Sequence, residues 1–83
     1  MIVSFGHVKG VPSNVDKVFD VRELTHVTTS PEFAAKADEI TQYGKDHPHE
    51  IIGIGCKIGR HRSKALADIV SKRLRRSVYH RGQ

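Results

Sequence analysis

Residues 51–63 of this 83-residue chain have the sequence IIGIGCKIGRHRS, which gives the clearest indication of the fold. Its first four residues, 51–54, form a continuous apolar run, which predicts a strand buried on both faces. The residues from Gly55 to Ser63 then predict a loop that leads directly into a helix. A buried strand followed at once by a helix is typical of α/β folds with parallel sheets.

Outside this stretch, other apolar and β-branched runs predict three more strands, at residues 2–5, 15–21 and 77–79. The first two of these runs are also continuous enough to predict burial on both faces. The connection between them is short for a parallel crossover. Residues 12–15 could supply one helical turn within it.

Two helices are predicted between and after these strands. Ser30, Pro31 and Glu32 form a helix start, with an N-cap hydroxyl, proline at the first helical position and an acid in the first turn. This helix should end near Gly44, because His47 and Pro48 follow closely. Its apolar face would consist of Phe33, Ala37, Ile40 and Gly44. The second helix is predicted from about residue 61 to residue 76, with an apolar face of Ala65, Leu66, Ile69, Val70 and Leu74.

The order of elements predicts an α/β fold in which a small, mostly parallel four-stranded sheet packs with two helices. We expect one domain over residues 1–83, because a chain this short buries only a thin core. In such sheets, ligands bind at the carboxyl ends of the strands. The prediction therefore places a phosphate-binding loop between the third strand and the second helix.

The composition excludes several classes of protein. Hydrophobic residues make up 37% of the chain and charged residues 28%, as in small globular proteins. A single cysteine, Cys56, cannot form an intramolecular disulfide, and no apolar run approaches the roughly 20 residues that cross a bilayer. We expect a cytoplasmic protein with no membrane partner.

The positive charge is concentrated at one end of the chain. Residues 1–59 contain six Lys or Arg and eight Asp or Glu, whereas residues 60–83 contain eight Lys or Arg and one acid. Such a segment attracts phosphates and indicates nucleic-acid binding, although a solvated helix face is the simpler alternative. The candidate RNA-binding residues are Arg60, Arg62, Lys64, Lys72, Arg73, Arg75, Arg76 and Arg81. The few aromatic residues lie mostly in core-like positions, so base stacking is not expected.

The loop at residues 55–63 has the features of an anion site. Backbone N–H groups at a helix start lack intrahelical partners, and Gly59 permits close approach of a phosphate. Arg60, Arg62 and Lys64 lie where the helix dipole disfavours cations unless an anion neutralises them. The alternative is a loop that only makes a turn.

The same loop resembles the signature of cysteine-dependent phosphatases, a cysteine and an arginine six residues apart followed by Ser or Thr. By that resemblance Cys56 would attack phosphorus, Arg62 would hold the phosphate and Ser63 would assist the thiol. Gly55 stands where most of these enzymes have histidine. Only positional guesses, Asp20 and Asp46, are available as the general acid.

A second resemblance covers almost the whole chain. Four blocks in the correct order resemble the C-terminal domain of the RapZ family of RNase adapters. They are Ser4-Phe5-Gly6 with Lys9-Gly10 and Pro12; Val18-Phe19-Asp20-Val21-Arg22; Ile54-Gly55-Cys56 with Gly59-Arg60-His61-Arg62-Ser63 and Ala65-Leu66-Ala67; and Val78 with His80-Arg81.

The resemblance implies a non-enzymatic domain that binds small regulatory RNA and senses glucosamine-6-phosphate. It also implies an endoribonuclease or other protein partner and self-association into a homo-oligomer. By this resemblance the protein would be bacterial, or would act in the host cytoplasm if encoded by a virus. Structured RNA is the expected partner, and bound phosphate, sulfate or a sugar phosphate is the expected ligand. The phosphate-binding residues would be Lys9, Arg22, Cys56, Lys57, Gly59, Arg60, His61, Arg62, Ser63, His80 and Arg81.

The chain departs from the family in three respects. The sequence contains no Gly-x4-Gly-Lys-Ser/Thr motif, so nucleotide hydrolysis is not expected. The connection after Arg22 is shorter than in the family, and Gly82 stands where an aspartate is common.

No metal is expected from the sequence. Two histidines around Pro48 lack a third ligand, and Cys56, His61 and His80 do not have zinc-ligand spacing.

Overall fold

The computed structural model describes residues 1–23, 30–57 and 62–81. These residues form four strands and two helices, interspersed in chain order. The elements are β1 (Ile2–Gly6), β2 (Lys17–Asp20), α1 (Pro31–Asp46), β3 (Ile52–Cys56), α2 (Arg62–Leu74) and β4 (Val78–His80). The strands form one sheet in the order β2-β3-β1-β4, and every pairing is parallel. The predicted α/β class and the four-stranded sheet with two helices are confirmed.

The core lies between the sheet and the two helices. Alternate residues of β3, namely Ile52, Ile54 and Cys56, face the helices and join one buried cluster. From α2, Leu66 and Val70 pack into the same cluster and are fully buried. Their counterparts on α1 are Phe33, Ala37 and Ile40. α1 thus buries the apolar face that its sequence predicts. On α2 the predicted Ala65, Ile69 and Leu74 are only partly buried, and the buried Ala67 was not predicted.

The helix start predicted at Ser30 is confirmed. The Ser30 hydroxyl accepts a hydrogen bond from the Phe33 amide at 3.2 Å, and Pro31 is the first helical residue. α1 continues two residues beyond the predicted end at Gly44. At Gly44 the helices are in close contact, since an added Cβ would collide with the Leu74 side chain.

The structure corrects the predictions for β2 and for its connection to β1. Residues 15 and 16 precede the strand, which begins at Lys17, and of its four residues only Phe19 is buried. The predicted burial of this run on both faces is therefore wrong, because β2 has a neighbour on one side only. β1 is separated from β2 by β3, and the helical turn in their connection lies at His7–Lys9 rather than at residues 12–15.

The remaining bounds differ slightly from those predicted. α2 is described from Arg62 to Leu74, two residues short of the predicted end, and His61 lies outside the described residues. β4 begins at Val78, one residue later than predicted. Among the described ranges, no helix is long and apolar enough to span a membrane.

Candidate phosphate-binding site

The carboxyl ends of the strands lie along one edge of the sheet, because all four run parallel. In chain order the strands end at Gly6, Asp20, Cys56 and His80. The segments that follow β1 and β3 are joined directly, since the Val8 amide donates a hydrogen bond to the Lys57 carbonyl at 3.2 Å. This edge, where open α/β sheets bind ligands, carries Lys9, Arg22 and Lys57.

Cys56 and Ser63 connect the two ends of the predicted phosphate loop. The Cys56 Sγ and Ser63 Oγ atoms are 3.2 Å apart, and either can donate the hydrogen bond. The two residues are only 2% and 0% exposed. This contact holds the end of β3 against the first turn of α2. The predicted ligands Gly59, Arg60 and His61 lie outside the described residues.

Arg62 contacts the backbone of Arg22, and the Arg22 side chain in turn pairs with Asp20. Arg62 Nη1 donates to the Arg22 carbonyl at 2.7 Å. The Arg22 guanidinium donates from Nε and Nη2 to the Asp20 carboxylate, and the Arg22 amide also donates to Asp20 Oδ1 at 3.0 Å. The guanidinium of Arg22, a predicted phosphate ligand, is thus neutralised by an acid in this structure.

The same contacts determine the protonation of Asp20. Hydrogen bonds from the side chain and the amide of Arg22 lower the pKa of Asp20 to about 2, against a small opposing effect of burial. At neutral pH this carboxylate is ionised. Asp20 therefore has no proton to donate to a leaving group, which removes one of the two guessed general acids of the phosphatase interpretation.

His7 occupies the space above Gly55. Its Nε2 atom lies 3.6 Å from Asp20 Oδ1. A Cβ added to Gly55 would lie 2.8 Å from His7 Nε2 and 2.5 Å from the Phe5 ring. A side chain at position 55 would force its neighbours to shift, because Phe5 of β1 and His7 just after it cover this position.

His80, a predicted phosphate ligand, is held by contacts on the helix-covered side of the sheet. Its Nδ1 lies 2.6 Å from Ser4 Oγ and its Nε2 lies 2.8 Å from Asp68 Oδ1. The ring connects β1, β4 and α2, and this arrangement satisfies the buried Ser4 hydroxyl. The sequence contained one indication of these contacts, since Asp68 is the only acid in residues 60–83 and is therefore the expected partner for a histidine there.

Exposed lysines lie after β1 and on both sides of the loop before α2. Lys9, Lys57 and Lys64 are exposed, and the last two flank the loop. The first turn of α2 contains no acid. Arg81 is half-buried, and its Nη1 donates to the Gly10 carbonyl at 2.9 Å.

The cations near the end of α2 have a mixed role. Arg73 pairs with Asp38 of α1, with Nη1 2.9 Å from Oδ1. Arg76 donates from Nη2 to the carbonyls of Gly44 and His47, at the end of α1. Lys72 and Arg75 are exposed. The structure therefore separates the predicted RNA-binding residues into cations that hold the helices together and cations that face solvent.

These features define an α/β domain with a parallel sheet and a basic loop before a helix. No protein-family model matches the chain. The chain is similar to bacterial proteins named "Nucleotide-binding protein": it is 32% identical to that of Desulfovibrio desulfuricans and 33% identical to that of Ruminiclostridium cellulolyticum, with 94% of this chain covered in both. A protein of Clostridium beijerinckii with the same name is 32% identical over the same share.

The similarity covers only part of these relatives. The chain spans 34% of the Desulfovibrio protein, 37% of the Ruminiclostridium protein and 36% of the Clostridium protein. The alignment with the first has 107 positions, although 94% of this 83-residue chain is about 78 residues. That relative therefore has close to 29 additional residues within the matched region.

Proposed function

We propose that this domain is a non-enzymatic module that binds the phosphate groups of structured RNA, similar to the C-terminal domain of the RNase adapter RapZ. The observation that supports it best is the placement of the exposed Lys64 in the first turn of α2, without an acid in that turn. The helix dipole disfavours cations there, and a bound anion removes the conflict. The relatives named nucleotide-binding proteins support a phosphate-containing ligand.

The charge at this edge also favours a polyanion over a neutral ligand. Lys57 and Lys64 are exposed on either side of the loop, and the chain carries a net charge of +5. Affinity for RNA that depends on such contacts falls steeply as salt concentration rises, because binding releases counterions.

The experiment measures binding of a fluorescein-labelled RNA hairpin by anisotropy at several salt concentrations. We expect Lys57→Ala with Lys64→Ala to lower affinity roughly tenfold or more and to reduce the salt slope by up to about 2, one for each lost phosphate contact. The matched control, Lys36→Ala with Lys45→Ala, removes the same charge from α1. Equal affinities of the two double variants would contradict the proposal, as would salt-independent binding.

A sugar phosphate such as glucosamine-6-phosphate is the second ligand that we propose for the same loop. It would use the same phosphate-binding groups without extended contact along α2. A shift in melting temperature with glucosamine-6-phosphate, and none with glucosamine, is the expected result. Inorganic phosphate separates recognition of the sugar from recognition of the phosphate alone. No shift with any phosphate would contradict a small-molecule site.

The contact between Cys56 and Ser63 favours one alternative function, a cysteine-dependent phosphatase. The hydroxyl lies 3.2 Å from the thiol, and Arg62 is the residue before Ser63. The burial of Cys56 and the ionised Asp20 do not favour it. Hydrolysis of an aryl phosphate that is lost in Cys56→Ser would establish this function, whereas turnover equal in both proteins would exclude it.

The RapZ resemblance also suggests protein partners, which we propose as an endoribonuclease and further copies of the chain. Size-exclusion chromatography with light scattering tests self-association. A monomer at all accessible concentrations would contradict a homo-oligomer of this chain. A pull-down of purified endoribonuclease with and without RNA tests the other partner.

A further inference from the structure

A shallow cavity lies on the sheet face opposite the helices, beside the edge strand β4. Tyr79 and Arg81 form one side of it, and Pro12, Ser13 and Asn14 form the other. Its volume is about 310 Å³, and Met1 and Val3 complete the described lining. This volume is near the lower end of the range for small-molecule pockets.

Tyr79 is presented to solvent by the alternation of β4. Val78 packs against the core and His80 contacts Asp68 of α2, so the residue between them points to the other face. Tyr79 is 55% exposed. An aromatic ring in this position offers a flat apolar surface that no other described element covers.

The polar groups around the ring suit an anion that carries a flat aromatic group. Arg81 lies in the cavity wall, where its hydrogen bond to the Gly10 carbonyl holds the guanidinium in place. Ser13 and Asn14 offer hydrogen-bond donors and acceptors, and no acid is among the described lining residues. An aromatic ring beside a fixed cation is the usual combination in single-strand nucleic-acid sites, where the base stacks and the cation meets the phosphate.

We infer that this cavity binds one unpaired nucleotide of the RNA, with its base stacked on Tyr79 and its phosphate beside Arg81. The inference deepens the proposed function and rests on it. β3 and β4 both flank β1, so β4 lies about two strand spacings, roughly 10 Å, from β3. Tyr79 pairs with Val3, three residues before the Gly6 that pairs with Cys56, which adds about 10 Å along the strand. A short single-stranded stretch spans that distance, so a nucleotide next to an RNA stem held at the loop can reach the ring.

The first test compares a blunt RNA hairpin with the same hairpin carrying a short unpaired uridine tail, by anisotropy. We expect Tyr79→Ala to lower affinity for the tailed hairpin roughly tenfold, as base stacking predicts, and to leave the blunt hairpin unaffected. Tyr79→Phe, which keeps the ring, should bind both as the unchanged protein does. Equal affinity of Tyr79→Ala and the unchanged protein for the tailed hairpin would overturn the inference.

Failure of the inference and failure of the proposed function give different results. If the unchanged protein binds neither hairpin at low salt, the RNA-binding function itself is wrong. If it binds both, and Tyr79→Ala alters only the oligomeric state, the ring contacts a second copy of the chain and the nucleotide site is wrong.

A second measurement observes the ring directly. The chain has two tyrosines and no tryptophan, so Tyr43→Phe leaves Tyr79 as the only strong intrinsic fluorophore. Stacking of a base should quench this fluorescence when a uridine pentanucleotide is added, and the quenching should saturate. Unchanged fluorescence at concentrations that saturate RNA binding would overturn the inference.

Discussion

The two ends of α2 carry similar cations in different surroundings. Near its start, Lys57 and Lys64 are exposed and flank a loop. Near its end, Arg73 and Arg76 bind an acid and two carbonyls of the α1 region. The basic charge of residues 60–83 therefore cannot all be assigned to ligand binding, because part of it holds the two helices together.

Removal of Arg76 is expected to have the largest effect, and it tests whether the cations at the end of α2 stabilise the fold. Its guanidinium donates to the carbonyl of Gly44, in the last turn of α1, and to that of His47, the residue just after the helix. We expect Arg76→Ala to lower the free energy of unfolding by about 2 kcal/mol and to leave RNA affinity little changed. Urea unfolding measures the first effect. A loss of RNA affinity with unchanged stability would show that Arg76 belongs to the binding surface.

Arg75, the neighbouring residue, should behave in the opposite way. It is exposed and has a φ of 55°, in the left-handed region that favours glycine. Arg75→Gly should therefore raise the free energy of unfolding by about 0.5–1 kcal/mol. If its charge meets a phosphate, RNA affinity should fall a few-fold at the same time. Arg75→Ala is the control, since it removes the charge but keeps the strain, and equal stability of the two variants would contradict the strain.

The smallest expected effect concerns Arg22, a cation that an acid already neutralises. The pKa of Asp20 is about 2 in the folded protein and near 3.8 in the unfolded chain, so its contribution is complete above pH 4 and disappears as pH falls through 2. Both side chains are about half exposed, so screening by solvent keeps this contribution small.

Unfolding at pH 7 and near pH 2 compares the unchanged protein with Asp20→Asn. Their difference in stability should shrink as the pH falls, and a constant difference would contradict the assignment. Asp20→Asn also releases the Arg22 guanidinium, so it should strengthen RNA binding slightly at pH 7.

Much of the fold could be predicted from local sequence. The buried run of β3 and the N-cap at Ser30 are local signals, and both predictions are confirmed. The edge position of β2 could not be predicted, because a continuous apolar run does not show how many neighbours a strand has. The structure places β2 beside β3 alone, which exposes most of it.

The candidate site was predictable in part. The loop before α2 and the strand ends around it followed from motif and topology. The partners of Arg73 and Arg76 lie about 30 residues away along the chain, on a different helix, so local pattern could not reveal them. The exposure of Tyr79 was also missed, since it depends on which face of β4 the helices cover.

Gly55 has a consequence for protein engineering. Most cysteine-dependent phosphatases have a histidine at the corresponding position, so its introduction is the obvious first step toward installing hydrolytic activity. In this domain the side chain would meet the His7 imidazole and the Phe5 ring. A redesign must therefore shorten both neighbours together with the change at position 55, because a single substitution there would force Phe5 and His7 out of their positions.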